Sequence, residues 1–71
     1  MNRYLNLRKT SSIIAYEIGV DFIAVQFKNY SIYRYSYASA GIEKVEQMKK
    51  LAIQGYGLGS YIQRCAKYDY E

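Results

Sequence analysis

The chain has 71 residues, which is enough for one small domain with a single hydrophobic core. Ten residues are tyrosine, and the sequence contains no histidine and no proline. Without histidine the chain cannot form a Ser-His-Asp or Cys-His catalytic site, or a zinc site that uses histidine ligands. We therefore expect a protein that is not an enzyme and that carries no catalytic residues, cofactor or metal.

Ten Lys and Arg residues against six Asp and Glu residues give a formal net charge of +4. This balance favours phosphate-rich partners or acidic protein surfaces. The single cysteine, Cys65, cannot form an internal disulfide and indicates a reducing compartment. The N-terminal residues lack the apolar stretch of a signal peptide, and no window approaches the ~18 apolar residues of a membrane span. We expect a cytoplasmic protein with no membrane partner.

Residues 12–37 are rich in Ile, Val, Phe and Tyr and predict three short strands. The first runs from Ser12 to Ile18, and the second from Ile23 to Phe27. The third runs from Ile32 to Tyr37, and a hairpin of residues 28–31 joins it to the second. The period of two predicts that Tyr33, Tyr35 and Tyr37 share one face of the sheet, with Arg34 on the other.

Residues 40–53 have apolar side chains at helical spacing and predict an amphipathic helix. Ser39 is the expected N-cap and Gly55 the expected stop. Ser60-Tyr61-Ile62-Gln63 has the spacing of a capping box and predicts a second, short helix. That helix would bury its apolar residues, which are Ile62, Cys65 and Ala66.

The predicted fold is therefore α+β, a three-stranded antiparallel β-meander followed by two helices, with helix packed on one face of the sheet. Residues 1–9 form a basic N-terminal arm, residues 10–68 the single domain, and residues 69–71 a C-terminal tail. A domain of this size buries little surface by itself, so we also expect a homodimer.

Four short motifs, in their order and spacing, resemble the KTSC domain. They are Thr10-Ser11-Ser12-Ile13, Ile23-x-Val25-x-Phe27, Tyr33-Arg34-Tyr35, and a helix that ends before Gly55 with Ile62 seven residues later. That family is a small bacterial and phage domain, found alone and at the C-terminus of some lysyl-tRNA synthetases. The resemblance implies a β-sheet with helices, a location in the bacterial host cytosol and a role in RNA binding, and it does not imply catalysis.

Exposed tyrosines on a sheet can stack on nucleic-acid bases, and cations beside them can hold the phosphate backbone. The same tyrosines could instead pack beneath the amphipathic helix, and the arm could be a solvated end. For a nucleic-acid or protein partner, the candidate residues are Arg3, Arg8, Lys9, Lys28, Tyr30, Tyr33, Arg34, Tyr35 and Tyr37.

The glycine-rich segment around Gly57 offers a second candidate site, for a phosphate or another anion. Backbone N–H groups in such a turn can surround a phosphate, although the same glycines also suit a flexible connection between helices. The residues of this candidate site are Gly55, Gly57, Gly59, Ser60 and Arg64.

Binding of nucleic acid, with RNA favoured, is the leading functional hypothesis. The alternative is a phage or mobile-element inhibitor that blocks a host defence protein through its tyrosines, because tyrosine and arginine are enriched in interface hot spots. Capture of a small nucleotide between aromatic rings and the glycine turn is a further alternative.

Overall fold

The computed structural model describes residues 1–9 and 11–71 and has an α+β fold. Thr10, the first residue of the Thr10-Ser11-Ser12-Ile13 motif and of the predicted domain, lies outside the described residues. The described residues form the strands β1 (Asn2–Arg3), β2 (Ile13–Ile18), β3 (Phe22–Phe27) and β4 (Ile32–Ser36). These four strands make one antiparallel sheet in the order β1-β2-β3-β4. The helices are α1 (Tyr37–Ala40), α2 (Ile42–Gln54), α3 (Leu58–Tyr61) and a π-helix (Ile62–Ala66).

The sheet has four strands where the sequence predicts three, because the N-terminal segment contributes β1. Asn2 pairs with Tyr16 and Arg3 with Ala15, and the N–H of Tyr4 donates to the carbonyl of Ile14 at 3.0 Å. Tyr4 is 2% exposed and belongs to the hydrophobic core. A two-residue strand of polar side chains carries no periodicity, so the pattern of the sequence alone does not reveal it.

The three predicted strands are confirmed, and Tyr33 and Tyr35 share one face of the sheet as predicted. Ile23 pairs with Tyr35 and Val25 pairs with Tyr33, so these four side chains share the face that the helices cover. Tyr35 is 1% exposed and Tyr33 is half-buried. Of the two interpretations of Tyr33 and Tyr35, packing beneath the helices is therefore the one that agrees with the structure. Arg34 lies on the opposite face, where its guanidinium carbon is 3.9 Å from the centre of the Phe22 ring.

Tyr37 does not continue β4, because the chain turns into α1 at that residue. Ser36 caps this helix, and its hydroxyl accepts from the Ser39 N–H at 3.1 Å while the Ser39 hydroxyl accepts from the Ser36 N–H at 3.0 Å. Local hydrogen bonding by serine thus ends the alternation one residue early. The predicted cap at Ser39 is consequently wrong. Gly41, with φ at +93°, is the residue that precedes α2.

Helix α2 packs Val45, Met48 and Ala52 on the sheet. It stops at Gly55, as predicted, and the φ of Gly55 is +92°, in the left-handed region that glycine favours. The next helix begins at Leu58 behind Gly57 rather than at Ser60, and it continues as the π-helix.

The π-helix changes which side chains of the last helical segment are buried. Ile62 and Ala66 are buried, whereas Cys65, predicted to be buried with them, is exposed. The i→i+5 bonding of a π-helix winds more residues into each turn than the α-helix on which that prediction rested. No helix in the described part of the chain has both the length and the apolar character to cross a membrane.

The C-terminal residues fold back on β4. The N–H of Glu71 donates to the carbonyl of Arg34 at 2.8 Å, and the Glu71 carboxylate lies 3.3 Å from the Arg34 guanidinium. The Tyr70 ring packs on Tyr33, with the ring centres 4.8 Å apart. The free edge of β4 is therefore partly covered by the end of the same chain.

Candidate nucleic-acid interface

A groove of about 760 Å³, here called the basic groove, lies between the N-terminal segment, α2 and the last helical segment. Its walls combine two arginines, polar neutral side chains and several rings. The residues that line it are Asn6, Arg8, Ser11, Ser12, Phe27, Gln47, Leu51, Gln54, Tyr56, Gly57, Gly59, Ser60, Tyr61, Gln63 and Arg64.

Backbone contacts of the N-terminal segment place Arg8 in the basic groove. The N–H of Leu7 donates to the carbonyl of Gly55 at 2.7 Å, which attaches the segment to the end of α2. The Asn6 side chain accepts from the N–H of Ser11 at 3.2 Å and donates to its carbonyl at 3.1 Å. Arg8 leaves this closed turn with its guanidinium carbon 4.4 Å from the centre of the Tyr56 ring, in cation–π contact.

Arg64 projects from the π-helix on another wall of the same groove. Its Nε donates to the carbonyl of Ser60 at 3.3 Å. A guanidinium carries five N–H donors, so this single bond orients the side chain and leaves most of its donors for a ligand. The guanidinium groups of Arg8 and Arg64 are therefore both oriented by contacts within the protein and both line the basic groove.

The glycine turn shapes the basic groove, and two backbone N–H groups of the turn are already bonded within the protein. The N–H of Gly55 donates to the carbonyl of Leu51 at 3.1 Å, and the N–H of Leu58 donates to the Tyr4 hydroxyl at 3.3 Å. At Gly59 a Cβ atom would lie 2.9 Å from the Ser11 hydroxyl oxygen, so glycine allows the two walls to approach. The arginine and polar side chains of the groove add further hydrogen-bond donors to its walls.

A second cavity of about 510 Å³, here called the aromatic pocket, adjoins the basic groove. The two cavities share Ser12, Phe27 and Gln63 in their walls. Four tyrosine rings and two lysines line the aromatic pocket and not the basic groove. Its lining residues are Ser12, Phe27, Lys28, Asn29, Tyr33, Tyr35, Ile62, Gln63, Lys67, Tyr68 and Tyr70.

The rings of the aromatic pocket pack on one another in edge and tilted geometries. Phe27 and Tyr33 have ring centres 5.5 Å apart at 72°, and Tyr35 and Tyr70 have ring centres 6.3 Å apart at 89°. Burial, with smaller contributions from Tyr33, Tyr70 and Asp69, raises the pKa of Tyr35 from 10.0 to about 12. Tyr35 is thus a neutral wall of the pocket at physiological pH.

No carboxylate lines either cavity in the part of the chain that the structure describes. The lining cations Arg8, Lys28, Arg64 and Lys67 all lie outside the ion pairs formed among the described residues, which involve Arg34, Lys44 and Lys49 instead. Cations without acidic partners and cavity walls without carboxylates create a positive field over both cavities.

The structure brings together eight of the residues singled out in the sequence. Five line the basic groove and three line the aromatic pocket. They are Arg8, Gly57, Gly59, Ser60 and Arg64 in the first and Lys28, Tyr33 and Tyr35 in the second.

The other candidate residues lie outside both cavities. Arg3 is exposed on β1 and Lys9 on the turn that follows. Tyr30 is 75% exposed in the β3–β4 turn, and Gly55 is buried at the end of α2. Arg34 is bound to Glu71.

Tyr37 also lies outside both cavities, and its position is structural. Its hydroxyl donates to the Glu46 carboxylate at 2.6 Å. Lys49 bonds the same carboxylate at 2.8 Å and also donates to the carbonyl of Val20 at 3.1 Å. The bonds from Lys49 and Tyr37 hold the pKa of Glu46 below its usual value. The Tyr37 side chain therefore ties α1 to α2 and leaves no free hydroxyl for a ligand.

Sequence reasoning missed Tyr56, Gln63, Lys67, Tyr68 and Tyr70 as cavity residues. The Lys67-Tyr68-x-Tyr70 sequence combines a cation with rings at alternate positions, which was the one available signal. The sequence analysis places the end of this segment, residues 69–71, in a C-terminal tail. The fold-back of Glu71 onto β4, a contact distant in sequence, is what brings these rings to the pocket.

No family model, no curated protein and no solved structure matches this chain. The similarity to the KTSC domain accordingly rests on the four motifs of the sequence.

Proposed function

We propose that this protein is a non-enzymatic module that binds single-stranded nucleic acid, RNA in preference to DNA, along the basic groove. The observation that carries the proposal is the groove itself. It presents Arg8 and Arg64 between polar neutral side chains, with no carboxylate among its described lining residues. Polyanionic strands are the ligands that such a surface attracts most strongly.

The two arginines supply directional contacts to phosphate as well as charge. Arginine binds phosphate through paired N–H donors, and an arginine already stacked on a ring loses less side-chain freedom when it binds. The contact of Arg8 with Tyr56 and the bond of Arg64 to Ser60 provide this orientation before the ligand arrives.

A preference for RNA has support of two kinds. The KTSC-like motifs imply a role in RNA binding. The basic groove also contains Ser12, Ser60, Gln47 and Gln54, whose side chains can donate to and accept from a ribose 2′-hydroxyl. A single strand suits a cavity beside exposed rings better than a duplex, because its bases are free to stack.

Fluorescence polarisation with a labelled oligouridylate of about ten nucleotides, at salt concentrations from about 50 to 200 mM, tests the proposal. We expect binding that weakens with salt. The double substitution Arg8→Gln with Arg64→Gln should weaken binding at least tenfold. It should also make the slope of log affinity against log salt about 1.4 units shallower, at about 0.7 per lost phosphate contact.

Arg3→Gln is the matched control, because Arg3 is an exposed arginine of the same N-terminal segment that lines neither cavity. It should bind as the unmodified protein does. The deoxyribose oligomer of the same sequence should bind more weakly than the ribose oligomer. Absence of binding at low salt would overturn the proposed function, as would equal losses in Arg3→Gln and in the Arg8 and Arg64 variant. Equal affinity for the two oligomers would overturn the preference for RNA.

A further inference from the structure

We infer that the aromatic pocket is a base-binding subsite, in which the exposed rings of Tyr68 and Tyr70 stack on a nucleobase of the strand whose phosphates occupy the basic groove. The inference rests on the proposed function, since it assigns the base of the same ligand. It adds residues that lie in the C-terminal segment and have no part in the contacts of the basic groove.

The two cavities are placed for adjoining parts of one nucleotide strand. They share Ser12, Phe27 and Gln63 in their walls, so they lie side by side on the protein. Gln63 is exposed and faces both cavities, and its amide can donate to and accept from a base edge. The arginines of the basic groove would bind phosphates of the strand, and the rings of the aromatic pocket would stack on its base.

Tyr68 and Tyr70 are the rings of the pocket that remain accessible. Tyr68 is 77% exposed and Tyr70 is 41% exposed, whereas Tyr35 is 1% exposed. The Tyr70 ring already contacts the Tyr33 ring in a tilted arrangement, with an angle of 53° between the ring planes. A base therefore meets these two C-terminal rings before it meets the rings of the sheet, and stacking is tolerant of base identity because every base has a π-face.

The C-terminal segment is held in place before any ligand binds. The Glu71 N–H donates to the Arg34 carbonyl at 2.8 Å, and Lys44 bonds the Asp69 carboxylate at 2.6 Å. A platform fixed in this way avoids the ordering cost that a frayed end would incur on binding.

The same contacts pair the acidic side chains next to the pocket with cations. Asp69 and Glu71, the two acids of the segment, are each paired with a cation that lines neither cavity, Lys44 and Arg34 respectively. The bond to Asp69 raises the pKa of Lys44, so Lys44 remains a charged partner at neutral pH. Lys28 and Lys67 are left as the charged groups of the pocket wall, and they suit the phosphates that flank a base.

The test compares two probes in the same polarisation assay: an oligouridylate, and an oligomer of equal length in which abasic ribose phosphate replaces every nucleotide. The variants are Tyr68→Ala, Tyr68→Phe and Tyr30→Ala. Tyr30 is 75% exposed, close to the value of Tyr68, and lines neither cavity, so it is the matched control.

Tyr68→Ala should bind oligouridylate at least about fivefold more weakly, the lower end of the loss for one stacked base. Tyr68→Phe should retain most of the affinity because it retains the ring. The abasic oligomer should bind the unmodified protein and Tyr68→Ala equally, since neither can stack a base that is absent. Tyr30→Ala should match the unmodified protein with both probes.

The outcomes separate the two proposals. If the unmodified protein binds neither probe at low salt, the proposed function fails and this inference fails with it. If it binds both probes equally well, or if Tyr68→Ala weakens both by the same factor, the strand is held by its phosphates alone and the base-binding subsite is refuted while the proposed function stands. Circular dichroism of the Tyr68 variants confirms that they are folded, as expected for substitutions of an exposed side chain.

Discussion

Replacement of Tyr4 provides a direct test of whether the N-terminal segment is part of the fold. Tyr4 is 2% exposed, packs edge-on against Tyr16, and accepts from the N–H of Leu58 at 3.3 Å. Removal of a buried aromatic ring costs about 3–5 kcal/mol. A domain of 71 residues has a free energy of unfolding on the order of 4–11 kcal/mol, so Tyr4→Ala should remove a large part of it.

Tyr4→Phe isolates the hydroxyl from the ring. The Leu58 N–H would then be buried without an acceptor. An unsatisfied buried donor costs about 1–3 kcal/mol. We expect a loss of about 1 kcal/mol, at the lower end of this range, because the bond that is lost is long, at 3.3 Å. The melting temperature should fall by about 4–8 °C for this variant.

Urea denaturation followed by circular dichroism measures both changes, and Tyr68→Ala is the control. Tyr68 is 77% exposed, so its replacement should change the unfolding free energy by less than about 0.5 kcal/mol. If Tyr4→Ala unfolds at the same urea concentration as Tyr68→Ala, the segment is not docked and the described position of Arg8 is wrong.

Two further predictions concern other tyrosines. Tyr30 has a φ of +67°, a left-handed conformation that is strained for a residue with a side chain. Glycine adopts it without steric cost, and the greater entropy of glycine in the unfolded chain offsets only part of this relief of strain. Tyr30→Gly should therefore raise the unfolding free energy by about 0.5–1 kcal/mol in urea denaturation. Tyr30→Ala keeps the strain and should give no gain; an equal gain would contradict the reasoning. The pKa of Tyr35 is raised in the folded state from 10.0 to about 12. The unfolded chain ionises first, so this contribution to stability is complete below pH 10 and is lost as the pH rises toward 12. Denaturation across this range should show a shallower alkaline loss in Tyr35→Phe, and identical slopes would refute the assignment.

The strands of this fold can be predicted from the sequence, because a half-buried strand alternates buried and exposed side chains. Ile23 and Val25 in β3, and Tyr33 and Tyr35 in β4, follow this alternation. The pairing of Ile23 with Tyr35 places them on one face, as the period of two requires. The errors arise where a local hydrogen bond or a change of helix type overrides periodicity. Ser36 ends β4 by capping α1, and the π-helix turns Cys65 outward.

The candidate site was predictable in its chemistry and not in its assembly. Arg8, Arg64 and the glycines stand out by type and local spacing. Their meeting depends on contacts between distant parts of the chain, above all the bond from the Leu7 N–H to the Gly55 carbonyl. No local pattern encodes such a pairing, and the same is true of the fold-back that carries Tyr70 to Tyr33. Single-residue signals therefore picked out three lining cations, Arg8, Lys28 and Arg64, but they missed Lys67 and did not separate these cations from Arg3, Lys9 and Arg34, which lie outside both cavities.

Docking of the N-terminal segment changes how its positive charge can act. A free basic arm attracts a polyanion but must lose chain entropy when it binds. Here Tyr4 and Leu7 are both bonded to the segment that follows α2, through Leu58 and Gly55, and Arg64 projects from the helix that continues from that segment. The two arginine walls are thus fixed to one another by the fold. If a nucleic-acid strand binds in the basic groove as we propose, only side chains of the protein have to be ordered. Any substitution that undocks Tyr4 should then weaken binding even though every cation is still present.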